Sequence, residues 1–273
     1  MSESIEQFRG MAAAYGRWSQ VYGRVLDPTL LRMAQDTLEI AGVSAGQRVL
    51  DLASGTGPIA RAAAALGARV VAVDISLGMI STARRLSTFT IGYAVADAGD
   101  LPLAPRRFDV GTCGLSLTHF PDASAALLEV HRLLLPGGVF VASAWGSSGN
   151  DPSFSAAFAA FTRHTGNRPR RFSKLLDEKN WSNPVRGRKT LQRAGFEAVQ
   201  VITRRQKGSY PNATDAVEWV LAWPLTAEGF HQLDPDSRKA LRSAAQAAVE
   251  AQNDLHWERE VHYYKGLIPR IAV

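Results

Sequence analysis

Val49-Leu50-Asp51-Leu52-Ala53-Ser54-Gly55-Thr56-Gly57-Pro58 joins a strand, a glycine turn and the start of a helix. Gln47 to Leu52 reads as a short buried strand. Gly55 and Gly57 let the backbone turn tightly and approach a ligand closely. Pro58 suits the first position of a helix that Gly67 can close. That helix aims its free N–H groups back into the space in front of the turn. Such a corner binds small molecules, and it fixes how the neighbouring segments are read.

Upstream, Asp27-Pro28 places a capping carboxylate before a proline, so a helix is predicted from there to Gly42. Downstream, Arg69–Asp74 is a second β-branched strand, and Ser76 caps a helix to about Leu86. Ile91–Val95 and Phe108–Cys113 read as the third and fourth strands. Asp122 caps a helix ending at Pro136-Gly137-Gly138, and Val139–Ala144 is the fifth strand. Alternating strands and helices predict an α/β fold, a mostly parallel sheet with helices on both faces. Ligands on such sheets sit beyond the carboxyl ends of the strands.

After Ala144 the alternation breaks. Asp151-Pro152 starts a helix to about His164, followed by an arginine-rich stretch. Asn183-Pro184 caps another helix that Gly195 ends, before a sixth strand at Phe196–Gln206. Thr214–Asn253 is helical, interrupted at Pro224 and recapped by Asp234-Pro235, and Trp257–Ile268 is a seventh strand. The expected division is 1–40 N-terminal lid helices, 41–146 ligand-binding core, 147–190 helical insertion, 191–207 sixth strand region, 208–255 helical lid and 256–273 seventh strand.

The 273 residues, 46% hydrophobic and 21% charged, suffice for one large core with an appended lid. No apolar run of about 18 residues is present, so no membrane span is expected. The first ten residues lack an apolar signal core, and a cytoplasmic location is expected. The single cysteine, Cys113, excludes an internal disulfide and a cysteine-based zinc cluster, and no metal is expected. A net charge of +6 and a pI near 9.7 raise the question of nucleic acid. The basic residues cluster from Arg163 to Lys189 and at Arg204, Arg205 and Lys207, with few aromatics among them. No nucleic-acid motif accompanies them, which disfavours that partner.

Two cofactors compete for the glycine turn. Gly55-Thr56-Gly57-Pro58-Ile59-Ala60 fits the dinucleotide fingerprint, and Asp74 lies 19 residues beyond Gly55, where it suits ribose binding in either case. Charge separates them. A dinucleotide brings a pyrophosphate, which the Asp51 carboxylate would oppose. S-adenosylmethionine brings an ammonium and a sulfonium, which it would attract. Bracing the turn is the bland alternative for Asp51.

Val49 through Gly57 resembles the first motif of the class I S-adenosylmethionine-dependent methyltransferases, in the branch of ubiquinone/menaquinone-biosynthesis C-methyltransferases and small-molecule tailoring enzymes. Ala53 stands where that family usually has glycine. Val71-Ala72-Val73-Asp74-Ile75-Ser76 with Met79 is similar to the second motif, and Ala96-Asp97-Ala98 with Leu101-Pro102 to the third. Phe108-Asp109-Val110 through His119-Phe120-Pro121-Asp122 resembles the fourth. Glu129 through Leu135-Pro136-Gly137-Gly138, the structural fifth motif, and Leu191–Phe196 complete a match from about residue 40 to 207. The resemblance implies a Rossmann-like seven-stranded sheet with an antiparallel seventh strand beside the sixth.

It also implies site roles. Asp51, Ala53, Gly55 and Gly57 would hold the methionine end of S-adenosylmethionine, and Cys113, Gly114 and Leu115 would line that part. Asp74 would bind the ribose hydroxyls, Ile75 and Met79 would flank the adenine, and Asp97 and Ala98 would bind its edge. Tyr15 would reach the cofactor carboxylate from an N-terminal helix, although its stripe with Trp18 and Tyr22 also suits packing. His119, just beyond the fourth strand, is the candidate catalytic base, with loop packing or a cofactor contact as the alternative. Trp145, Phe154, Phe158, Phe161, Trp219 and Trp223 could line an acceptor pocket or pack a core. The expected activity is in-line methyl transfer to a small, apolar or aromatic acceptor, yielding S-adenosylhomocysteine. A nucleic-acid methyltransferase and a protein of this fold repurposed as a cyclising catalyst or binding partner are the alternatives, and a homodimer is left open.

Overall fold

The computed structural model describes residues 3–120, 123–166 and 181–270. Two helices, α1 (Glu3–Val25) and α2 (Asp27–Ala41), precede the sheet. Then come β1 (Arg48–Leu52), α3 (Pro58–Ala65), β2 (Arg69–Asp74), α4 (Leu77–Leu86), β3 (Gly92–Val95) and β4 (Phe108–Cys113). A short 3-10 turn (Leu117–His119) leads to α5 (Ala123–Leu133), β5 (Leu134–Asn150) and α6 (Pro152–Thr165). The described chain ends with α7 (Pro184–Arg193), β6 (Glu197–Ser209), α8 (Ala213–Ala222), α9 (Pro224–His231), α10 (Pro235–Glu250) and β7 (His256–Leu267). No described helix is long and apolar enough to cross a membrane.

The seven strands lie in the order β3-β2-β1-β4-β5-β7-β6. The pairs among β1 to β5 are parallel, and β7 runs antiparallel to both its neighbours. The Rossmann-like α/β sheet with its inserted antiparallel strand therefore matches the expectation. Alternate residues of the buried strands face opposite cores, as a sheet covered on both sides requires. Val49 and Val70 face α2 and α3, while Leu50, Leu52 and Val73 face the side that includes α5 and α7. Strand order reverses between β1 and β4, which opens a crevice at their carboxyl ends.

A third apolar cluster lies off the sheet. Phe161 of α6, Trp219 of α8, Phe230 of α9 and Leu241 of α10 pack together, joined by Leu26 and the second half of α1. Helix α1 bridges this cluster to the sheet. Arg17 and Trp18 Nε1 both donate to Glu228 of α9, and Trp18 stacks on His231 at 3.9 Å. On its other side Ser19 meets Thr82 of α4 at 2.9 Å. A Cβ on Gly78 would stand 2.4 Å from the Gly16 carbonyl oxygen, so this helix crossing needs glycine there.

Three local expectations change. Asp27 does not cap α2; its carboxylate reaches Thr56 Oγ1 at 2.5 Å and Arg61 at 2.6 Å, because a buried cation outweighs a local amide. Strand β5 begins at Leu134 and runs to Asn150, well beyond Val139–Ala144, since β4 pairs with its start and β7 with its far end. The aromatic side chains Phe154, Phe158, Phe161 and Trp219 belong to the off-sheet cluster. The proposed Asp122 cap and most of the basic stretch after Arg163 lie outside the described residues.

Candidate functional site

The glycine turn is held open by backbone geometry. Ala53, Gly55 and Gly57 all have left-handed φ, at 46°, 56° and 82°. For Ala53 that conformation is strained, because its Cβ crowds the carbonyl. Nothing lies within 4 Å of a Cβ placed on Gly55, so its bare backbone faces open space. Asp74 at the end of β2 braces this turn. One carboxylate oxygen accepts from Gly55 N and the other from Ser76 N, both at 2.8 Å. Behind the turn Arg61 bonds the Thr56 carbonyl and Asp27, tying α2 and α3 to it.

These loops and helices α1 and α2 enclose a pocket of about 1120 Å³, open mouth included. Tyr15, Asp51, Ala53, Gly55, Asp74, Ile75, Met79, Asp97, Ala98, Gly114, Leu115 and His119 all line it. Gly57 and Cys113 do not. Gly57 is the N-cap of α3, turned toward Ala83 and Arg61. Cys113 is fully buried among the apolar side chains under α5, where burial pushes its thiol pKa far up.

Other walls were not legible in the motifs. Tyr22, Leu30, Met33 and Ala34 from α1 and α2 line the pocket, as does Ser143; Ser54 and Phe120, which lie within the first and fourth motifs without an assigned role, line it too. In sequence the helical residues carry only the spacing of core positions. Glu129 proves structural, as the fifth motif implied. It accepts from Leu101 N at 3.0 Å and pairs with Arg132, which bonds the Leu101 and Leu103 carbonyls, so the two clamp the segment after Asp97.

The pocket is acidic. Asp51, Asp74 and Asp97 line it, and among the described residues no lysine or arginine does. Asp51 is 1% exposed; one oxygen accepts from Thr112 Oγ1 at 2.8 Å and the other has no partner. Burial pushes its pKa up to about 7 against the help of Thr112. Ser54 Oγ is likewise buried and unpartnered. A buried orphan polar atom costs free energy unless a ligand satisfies it. An ammonium donor fits this pair of acceptors, and a pyrophosphate does not.

His119 faces the same space. Burial lowers its pKa to about 4, so the ring is neutral at physiological pH, and Nδ1 has no partner. The Tyr15 ring stands 5.7 Å from His119 and 5.9 Å from Tyr22. Burial raises the Tyr15 pKa to about 12, and its hydroxyl hydrogen-bonds Trp223. His131 packs on Phe196, and His262 bonds Thr203 on β6 at 2.8 Å, away from the pocket.

Comparison with known proteins agrees with this geometry. Residues 50–142 match the family model described as a methyltransferase domain. The demethylmenaquinone methyltransferase of Clavibacter sepedonicus is 37% identical over 139 residues, 48% of this chain and 56% of the relative. The malonyl-[acyl-carrier protein] O-methyltransferase of Pseudescherichia vulneris is 32% identical over 161 residues, 58% of this chain and 61% of the relative. The chain thus spans less than two thirds of the length of these curated relatives. The crystal structure of YcgJ from Bacillus subtilis shares the fold, with a TM-score of 0.57 at 19% identity over 88% of this chain and 99% of that one. Over residues 50–142 the chain is thus similar to methyltransferase domains, the similarity that the class I S-adenosylmethionine-dependent motifs implied. The ubiquinone/menaquinone biosynthesis C-methyltransferase of Rubrivivax gelatinosus is similar as well, 36% identical over 104 residues, 38% of this chain and 41% of the relative.

Proposed function

We propose that the protein transfers the methyl group of S-adenosylmethionine to a small, apolar or aromatic acceptor. The observation that carries this reading is the acidic pocket, lined by no lysine or arginine among the described residues, with an unpartnered Asp51 oxygen and the open backbone of Gly55. Asp51 and Ser54 would hold the ammonium, and Ala53, Gly114 and Leu115 would frame the methionine half. Asp74 keeps lone pairs for ribose hydroxyls beyond the two amides it already accepts. Ile75 and Met79 would flank the adenine, with Asp97 and the Ala98 amide at its edge. The Tyr15 hydroxyl, receiving its hydrogen bond from Trp223, can donate to the cofactor carboxylate. When bound, the cofactor supplies an electrophilic methyl on sulfur; the protein positions the acceptor and excludes water.

The described helices within the expected lid regions 1–40, 147–190 and 208–255, namely α1, α2, α6, α7 and α8 to α10, would act as a lid over this pocket. Helix α1 supports that role, since it both lines the pocket and docks on α9 through Arg17, Trp18 and Glu228. His119 is the candidate base. With a pKa near 4 it is a weak one, so its contribution is to accept a hydrogen bond from the acceptor and take the proton as methyl transfer proceeds. His119→Gln keeps an acceptor atom but cannot take a proton, and is expected to lower kcat far more than cofactor affinity. Equal losses in both would make His119 a cofactor contact.

Calorimetric titration with S-adenosylmethionine, S-adenosylhomocysteine and NADH in parallel tests the cofactor. Binding of the first two without the third is expected. Binding of NADH alone would overturn the reading.

A further inference from the structure

The first residue of α2 grips the glycine turn from behind. Thr56, between Gly55 and Gly57, belongs to the pocket lining and is fully buried. Its hydroxyl donates to Asp27 Oδ1 at 2.5 Å, and Asp27 Oδ2 accepts from Arg61 Nη2 at 2.6 Å. Arg61 Nη1 donates in turn to the Thr56 carbonyl, which closes a triangle of three residues. Helix α1 packs on the same threonine: a Cβ on Gly23 would stand 3.3 Å from Thr56 Cγ2. Asp27 is buried and leaves the N-terminus of α2 without a side-chain cap. A missing cap costs a helix about 1 kcal/mol, so this carboxylate serves the turn at the expense of its own helix. The far end of α2 is fixed independently. Arg204 pairs with Asp36 and Glu39, Tyr263 donates to Asp36 at 2.9 Å, and Lys265 Nζ donates to the Ile40 carbonyl at 2.8 Å. Leu30, Met33 and Ala34, which line the pocket, lie between these two anchors.

Building on the methyltransferase reading, we propose that Asp27 is a positioning residue that couples the glycine turn to α2, so that filling the turn with cofactor steadies the wall formed by Leu30, Met33 and Ala34. A ligand against the open backbone of Gly55 restricts the residues on either side of Thr56. The Thr56 hydroxyl passes that restriction to Asp27, and the Asp27 backbone passes it to the first turn of α2. Arg61 keeps the two in register, because it holds both the Asp27 carboxylate and the Thr56 carbonyl. With the far end of α2 tied to β6 and β7, the free half of the helix is the half that lines the pocket. Its order therefore depends on cofactor occupancy, a coupling carried by rigidity that exchange rates can read.

Hydrogen–deuterium exchange of the full-length protein, with and without saturating S-adenosylhomocysteine, tests the coupling. In the wild type the ligand should slow exchange in the turn and also in the first half of α2, there by about three- to tenfold. Thr56→Val keeps the shape, removes the hydroxyl and leaves the Asp27–Arg61 pair in place. In this variant the turn should still respond and α2 should not. Thr56→Ser restores the hydroxyl and should restore the response of α2. Asp27→Asn still offers Thr56 an oxygen but loses the ion pair, so its urea midpoint should fall while the response of α2 persists. Calorimetry supplies a second readout. Thr56→Val should bind S-adenosylhomocysteine about two- to tenfold more weakly, whereas 5′-methylthioadenosine, which lacks the amino-acid half that meets the turn, should bind as it does to the wild type. A response of wild-type size in Thr56→Val, or none in Thr56→Ser, would overturn the coupling. Loss of the response in Asp27→Asn, or equal losses of both ligands in Thr56→Val, would reduce Asp27 to a structural ion pair. Failure of S-adenosylhomocysteine to bind the wild type would strike the cofactor reading itself, whereas binding without any response in α2 would strike the coupling alone.

Discussion

Replacing Asp51 by asparagine should stabilise the protein at alkaline pH and weaken its cofactor binding. Burial lifts the Asp51 pKa from 3.8 to about 7. The folded state then holds a proton that the unfolded chain releases above pH 3.8, so stability falls as pH rises from there to about 7 and is level beyond. At 1.36 kcal/mol per pKa unit the full loss is about 4 kcal/mol, of which about 3 kcal/mol lies between pH 5 and pH 8. The asparagine side chain does not titrate and still accepts from Thr112. Its amide nitrogen replaces the unpartnered oxygen at a cost of about 1–3 kcal/mol, the same at every pH. Urea unfolding at pH 5 and pH 8 should therefore show the wild type losing about 3 kcal/mol more than the variant over that interval. Calorimetry at pH 8 should show S-adenosylmethionine affinity lowered about 10- to 150-fold, from the loss of a bond worth about 1.5–3 kcal/mol. In the wild type that affinity should climb with pH up to about 7, since the cation needs the carboxylate ionised, and the variant should lack the climb. Parallel pH dependences of stability with unchanged affinity would refute both the buried charge and its partner.

Ala53→Gly removes the crowding at φ 46° and, after the entropy gained by the unfolded chain, should raise stability by about 0.5–1 kcal/mol, read as a higher urea midpoint. Arg61→Ala strands the Asp27 carboxylate, and because Arg61 is still 18% exposed the loss should be about 2–4 kcal/mol, below the range for a fully buried pair. Adding Asp27→Asn should recover part of that loss; a double variant as unstable as the sum of the singles would show that the two residues do not interact. Glu228→Gln loosens α1 from α9 at an exposed pair worth about 0.5–1 kcal/mol, so stopped-flow fluorescence should show S-adenosylhomocysteine leaving about two- to fivefold faster. An unchanged release rate would remove α1 from the lid.

Local chemistry made the centre of this fold readable. The turn from Asp51 to Pro58, the Ser76, Asp151 and Asn183 caps and the Gly42 stop each act within a few residues, so their signals survive in the chain itself. What escaped reading depends on distant partners. Asp27-Pro28 carries every mark of a cap, yet Arg61, 34 residues on, takes the carboxylate. Pro136-Gly137-Gly138 reads as a stop, but β4 and β7 draw the flanking chain into one long strand. Gly57 and Cys113 sit within motifs whose neighbours line the pocket, and only the path of the backbone turns these two away. Leu30 and Met33 look like any core residues of a helix, because which of them faces a cavity is decided by where the helix lands.

The same limit applies to charge. A net charge of +6 invites an acidic ligand, yet the pocket carries the opposite sign. Arg186, Arg188, Lys189 and Arg193 stand exposed on α7, outside the pocket, while Asp51 and Asp74 lie within it. Field strength depends on the surroundings of each charge: water screens the arginines within about 10 Å at moderate salt, whereas the buried carboxylates are screened far less. The few unscreened aspartates therefore outweigh the more numerous surface cations in choosing the ligand. Salt offers the discriminating test, since binding governed by α7 would weaken steeply as salt rises, and binding governed by Asp51 would follow pH instead.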